Sequence, residues 1–199
     1  MSTPVRYQLE DSIAGISMDD GKMNVLSVDM LFELGRAFDR AKADRAVVLL
    51  AGREGVFSGG FDLRALAAGG PDAYTMVRMG FELAERILAF PTPVVVACTG
   101  HAIAMGAFLL LSGDYRVGAA GSYRIGANEV AIGITMPFFG VEICRQRLAP
   151  AAWSRHARRR RASRAGRRPS VPRPRARRRA RRDPGSRRRR RPRADRSPR

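Results

Sequence analysis

After Leu148 the chain contains no leucine, isoleucine, phenylalanine, tyrosine or methionine. That divides its 199 residues into a part able to bury a core and a part that is not. Residues 1–150 carry 14 Lys+Arg against 16 Asp+Glu, whereas residues 151–199 carry 23 Arg against 2 Asp. The net charge of +19 therefore resides in the C-terminal segment and says nothing about the partner of the body. Ordering a backbone costs on the order of 1–2 kcal/mol per residue, and a segment whose main apolar groups are Trp153 and Val171 cannot offset it. Two units are expected, a folded body over 1–150 and a disordered Arg/Ala/Pro-rich tail over 151–199.

Two readings of the tail stand side by side. Runs such as Arg158 to Arg161 and Arg187 to Arg191 would neutralise phosphates and bind nucleic acid non-specifically. Alternatively, Arg, Ala, Pro and Gly are the residues of GC-rich codons, and the tail has no lysine, as a frameshift product of a GC-rich gene would.

In the body, Cys98 and Cys144 lie in apolar stretches, which suits reduced, buried thiols and a cytoplasmic protein. Residues Met1 to Glu10 lack the basic start and apolar run of a secretory signal. The longest apolar stretch, Ala102 to Leu111, is broken by Gly106 and is too short to span a membrane.

Alternating segments at Tyr7 to Leu9 and Ile13 to Met18 predict a hairpin turning at Glu10-Asp11-Ser12. Ser27 stands as an N-cap before a helix over Val28 to Ala43, with Met30, Leu31, Leu34, Ala37 and Phe38 at helical spacing. The runs Ala46 to Ala51 and Val94 to Cys98 read as buried strands. Each is followed by a glycine-bearing turn and a helix, one starting at Asp62 and one over Met105 to Ser112. A longer helix is expected from Pro71-Asp72 to about Ala89, and brief strands at Tyr115 to Val117 and Tyr123 to Ile125. A last helix opening at Pro137 is still running near Leu148. This order of strand, turn and helix is an α/β pattern.

The turns Phe57-Ser58-Gly59-Gly60-Phe61-Asp62-Leu63 and Gly100-His101-Ala102-Ile103-Ala104-Met105-Gly106-Ala107-Phe108 each present backbone N–H groups at a helix start. Either alone is also what an ordinary tight turn looks like. Two of them, each after a strand, can aim two donors at one carbonyl oxygen.

With Lys22-Met23-Asn24, Pro91 to Gly100, Asp114 and Gly126-Ala127-Asn128-Glu129-Val130-Ala131-Ile132-Gly133 in this order, the chain from about Val5 to Leu148 resembles the crotonase superfamily (enoyl-CoA hydratase/isomerase). The resemblance implies a spiral of ββα turns, and an acyl-CoA thioester whose oxygen is held by the N–H groups of Phe61 and Met105. Asp62, Leu63 and Arg64 would line the thioester and pantetheine path, with Phe108 near the acyl group. No cofactor is implied, coenzyme A being part of the substrate. Met105 stands where the family usually has glycine. Hydratases of the family use two glutamates; here the first position is Phe108 and only the second is present, as Glu129. A lone carboxylate can move a proton between the α and γ carbons of an enolate, which is isomerase chemistry in fatty-acid degradation. His101 is expected to pack or meet solvent, the alternative being a replacement base. Met76, Met79, Met105 and Met136 would line core and acyl pocket; no metal-ligand spacing occurs.

Family chains continue with C-terminal helices that cover the pocket and build a homotrimer. The resemblance thus implies a fold truncated at those helices, with apolar surface exposed where they would dock. Two other functions remain: a non-catalytic acyl-CoA binder, and an Arg-rich nucleic-acid-binding protein carrying a degenerate enzyme domain.

Overall fold

The computed structural model describes residues 3–129, 135–157 and 164–165. The chain divides into two units, residues 1–169 and 170–199; every element described belongs to the first, and the second lies outside the described residues.

Strands β1 (Val5–Glu10) and β2 (Ile13–Met18) form an antiparallel hairpin closing at Glu10↔Ile13. Its two turn residues, Asp11 (φ 46°) and Ser12 (φ 64°), are both left-handed, as a two-residue hairpin matched to strand twist requires. The short β3 (Val25–Leu26) leads into α1 (Val28–Ala43), where the Ser27 hydroxyl accepts from the Met30 N–H. Asp29 in the first turn and Arg40 and Lys42 in the last complement the helix dipole. One stripe, including Met30, Leu34, Phe38 and Ala41, is buried. At the far end of α1, the Tyr7 hydroxyl donates to Asp44 Oδ2 at 2.5 Å, and the Arg40 guanidinium lies 4.1 Å from the Tyr7 ring centre. Burial, with the Asp44 carboxylate beside it, pushes the Tyr7 phenol up to about 12.

The next turn of chain is β4 (Val47–Ala51), β5 (Gly55–Ser58), β6 (Gly60–Phe61), α2 (Leu63–Ala68) and α3 (Gly70–Leu88). Then follow β7 (Val94–Cys98), β8 (Gly100–Ile103) and α4 (Met105–Ser112), and after them β9 (Tyr115–Gly118), β10 (Tyr123–Gly126) and α5 (Phe138–Arg147). The last described elements are α6 (Pro150–Ala157) and β11 (Arg164–Ala165). Each turn gives its first strand to a five-stranded sheet, β1-β2-β4-β7-β9, parallel except for β1. Later strands go to a second sheet, β11-β10-β8-β5, or to the pair β3-β6. This is the ββα spiral that the resemblance implies.

The structure refines the sequence reading at three points. The apolar runs of β4 and β7 are not buried on both faces: Val48, Leu50, Val94 and Val96 are fully buried, while Leu49 is 39% exposed. The core cluster joins the first set to Leu34, Phe38 and Leu83 of α1 and α3, and the alternate side chains face the other way. The helix opening after Pro137 stops at Arg147; Leu148 is extended, and Pro150 opens a separate helix at its first position. That helix runs past residue 150 into the arginine-rich segment, with Leu148 and Trp153 packed on the core. A two-residue strand follows at Arg164–Ala165, paired with Tyr123–Arg124. The remaining expectation of a structureless tail falls outside the described residues.

Gly100 shows how closely the two spiral turns approach. A Cβ there would overlap the carbonyl group of Gly55 and lie 2.5 Å from the Val56 nitrogen. Backbone cannot give way as a flexible side chain can, so the β5–β8 pairing and an alanine at 100 are incompatible. Gly100→Ala is expected to cost more than about 4 kcal/mol, read as a lowered urea midpoint, and an unchanged midpoint would contradict this packing.

Candidate functional site

The first turn is built on buried polar groups that local sequence patterns do not reveal. Asn24 is fully buried with a left-handed φ of 48°. Its amide donates to the carbonyls of Met18 (3.0 Å) and Phe57 (3.2 Å), and its side-chain oxygen accepts from the Asp20 N–H (3.0 Å). The Ser58 hydroxyl donates to the Asn24 carbonyl at 2.8 Å and accepts the Gly60 N–H at 3.1 Å. The Gly59 N–H donates to the Met23 carbonyl at 2.7 Å. Upstream, burial alone would raise the Asp20 carboxyl, but N–H groups of Val25, Asn24 and Lys22 hold it below its ordinary value. The 22–24 segment and the Phe57-to-Leu63 turn are thereby one hydrogen-bonded unit.

β6 pairs in parallel with β3, Val25↔Gly60 and Leu26↔Phe61. The Val25 N–H goes to Asp20 and the Ser27 N–H to the Val25 carbonyl. Leu26 is left to serve the ladder, a phase that turns the Phe61 N–H away from β3.

The second turn is pressed against the first. Gly60 (φ 88°) sits so close that a Cβ on it would lie 2.8 Å from the Ile103 carbonyl oxygen and 3.4 Å from the Met105 nitrogen. A Cβ on Gly106 would lie 2.7 Å from the Ser58 carbonyl oxygen. Met105 and Gly106 open α4, so their N–H groups have no carbonyl earlier in the helix to bond. Met105 itself is buried and is not left-handed; the unusual backbone falls one residue earlier, at Ala104 (φ 51°, ψ −123°). Such a conformation costs a non-glycine residue about 1–3 kcal/mol. The Ala104 N–H is anchored by the Gly126 carbonyl at 3.0 Å, tying the second turn to the end of β10.

Three residues beyond that anchor, Glu129 is 9% exposed, and neither its Oε2 nor the Asn128 Oδ1 has a hydrogen-bond partner among the described residues. Burial raises the Glu129 carboxyl above its ordinary 4.5, against the pull of its own backbone N–H. Cys144 on α5 is pushed up to about 11, first by burial and then by the charge of Glu129. One helical turn into α4, Phe108 is 1% exposed. Its ring fills the space above Gly140, where a Cβ would lie 2.7 Å from Phe108 Cζ and 3.2 Å from the Met136 sulfur. Among the described residues Glu129 is the one buried carboxylate.

The other candidate residues divide. The Phe61 ring lies against Gly80 of α3 and meets Phe81 edge-on, with centroids 6.1 Å apart; Phe81 in turn packs 5.4 Å from Phe139. The Asp62 carboxylate caps α2, accepting from the Arg64 N–H at 2.8 Å. Leu63 (65% exposed) and Arg64 face outward. Met136 borders Phe108, Met105 borders Gly80, Met76 is fully buried in the core and Met79 packs on it. His101 packs edge-on against Tyr123 and accepts a backbone N–H. Among the described residues no three His, Cys, Asp or Glu side chains are grouped to hold a metal, and no helix is long and apolar enough to cross a membrane.

The two turns are pressed together by glycine contacts, and a buried acid follows the strand that anchors the second of them. The family model described as enoyl-CoA hydratase/isomerase matches residues 8–157. A solved enoyl-CoA isomerase structure from Mycobacterium tuberculosis is 54% identical with TM-score 0.74, covering 78% of this chain and 68% of that one. Among curated proteins, a probable enoyl-CoA hydratase of Rhodobacter capsulatus is 34% identical over 117 residues, 58% of this chain and 46% of its own. The mitochondrial enoyl-CoA delta isomerase 1 of Rattus norvegicus is 32% identical over 140 residues, 68% of this chain and 48% of its own. The chain belongs to the enoyl-CoA hydratase/isomerase family. It spans about half the length of these curated relatives.

Proposed function

We propose that the chain carries the active site of an enoyl-CoA isomerase. The Glu129 carboxylate removes a proton from the α carbon of a 3-enoyl thioester. The electron pair moves onto the thioester oxygen, which the N–H groups of Phe61 and Met105 hold, and the dienolate spreads charge to the γ carbon. The same carboxyl returns the proton there, leaving the 2-enoyl thioester. No atom is gained or lost, so one acid suffices. Asp62, Leu63 and Arg64 line the approach of the pantetheine arm, and Phe108 closes the acyl side. The assembly we infer is a cytoplasmic homotrimer, in line with the family resemblance.

The observation that carries this reading is a buried carboxylate, Glu129, whose Oε2 has no hydrogen-bond partner among the described residues, together with a buried Phe108 where the resemblance puts the first glutamate of hydratases. The test is to assay 3-enoyl-CoA isomerisation and crotonyl-CoA hydration on one preparation. Hydration is expected to run at least about 10²-fold below isomerisation, the usual worth of a positioned acid or base. Equal rates would defeat the single-acid mechanism. Tight binding of an acyl-CoA with neither reaction would point instead to a non-catalytic acyl-CoA binder.

A further inference from the structure

The parallel ladder between β8 and β10 has only two registered pairs, Ala102↔Ile125 and Ile103↔Gly126. One residue before that register the pairing does not stop: the Arg124 N–H donates 2.9 Å to Nδ1 of His101, a side chain taking the place of a strand carbonyl. The ring is steadied by Tyr123, edge-on with centroids 5.4 Å apart. Because Nδ1 accepts, the ring proton resides on Nε2. On its other side β8 pairs with β5, Val56 facing His101.

Both strands run directly into the proposed chemistry. β8 ends at Ile103, before Ala104 and the Met105 amide; β10 ends at Gly126, whose carbonyl holds the Ala104 N–H, three residues before Glu129. We infer that His101 is a positioning residue, whose imidazole supplies an added rung that sets β10 against β8 and thereby sets Glu129 against the thioester-binding turn. The inference rests on the isomerase reading for its effect on turnover, but the rung itself does not.

The test uses His101→Asn, His101→Gln and His101→Leu in the full chain. An asparagine Oδ1 can occupy the place of Nδ1; glutamine places its oxygen one bond further out, and leucine has no acceptor. Amide hydrogen exchange at Arg124 is expected to stay slow in the wild type and His101→Asn and to speed up about 3- to 10-fold in His101→Leu, the size of one net hydrogen bond. Isomerisation kcat is expected to fall by a similar factor in His101→Leu with KM little changed, to recover in His101→Asn and to recover less in His101→Gln. Equal exchange in all four proteins would remove the rung. Altered exchange with uniform kcat would remove the positioning role. A wild type that binds acyl-CoA without isomerising it would sink the functional reading while the exchange result still decides the rung.

Discussion

Replacing Glu129 by glutamine is expected to lower 3-enoyl-CoA isomerisation by about 10²–10⁴-fold while leaving acyl-CoA binding in place. Glutamine keeps the shape and removes the carboxylate that the proposed proton transfer uses. The pH dependence follows from the same burial. A carboxyl raised above 4.5 must ionise before it can act as a base, so the acid limb of the rate profile is displaced upward from the ordinary glutamate range. Stability moves the opposite way. The folded form holds this proton to higher pH than the unfolded chain does, so the contribution is full below the unfolded value and is lost as pH rises through the folded one. Glu129→Gln is therefore expected to flatten that decline, and at neutral pH to melt no lower than the wild type. A variant retaining wild-type turnover would remove Glu129 from the mechanism.

The second large effect is expected at Gly60. Its φ of 88° disfavours any side chain, and an alanine Cβ would meet the Ile103 carbonyl oxygen at 2.8 Å and the Ala104 Cβ at 3.0 Å. Both neighbours belong to the Ile103–Ala104 segment that leads into the Met105 amide, so relief of the clash parts the two turns. Loss of one properly aimed donor in such a site is worth about 10²–10³ in kcat. Gly60→Ala is thus expected to reduce kcat by that factor, more than its effect on the melting temperature would suggest. Gly59 makes a useful contrast, since a Cβ there lies 3.3 Å from Met23 atoms on the far side of the turn. Full activity in Gly60→Ala would mean that the two turns do not act on one oxygen.

Much of this frame was legible in the sequence because its signals are local. Ser27 caps α1 where the pattern begins, Asp11 and Ser12 form the hairpin turn, and the two glycine-bearing turns do precede helices. What could not be read depends on partners distant in sequence. Asn24 ties the first turn together through Phe57 and Ser58, more than thirty residues on, although a small polar residue just before a helix and its cap is a local hint. Met105 drew attention for replacing a glycine, whereas the constrained backbone is at Ala104, a property of how β10 anchors that residue. The one-sided burial of β4 and the separate helix after Pro150 likewise reflect what packs against each segment.

The most direct measurement is the carbonyl stretching frequency of a ¹³C-labelled acyl-CoA bound to the protein. Two converging amides in a dry site polarise the thioester bond, so the band should move to lower frequency than in water, and most of that displacement should vanish in Gly60→Ala. A bound thioester whose band matches the aqueous value, or is indifferent to Gly60→Ala, would contradict the paired-amide site.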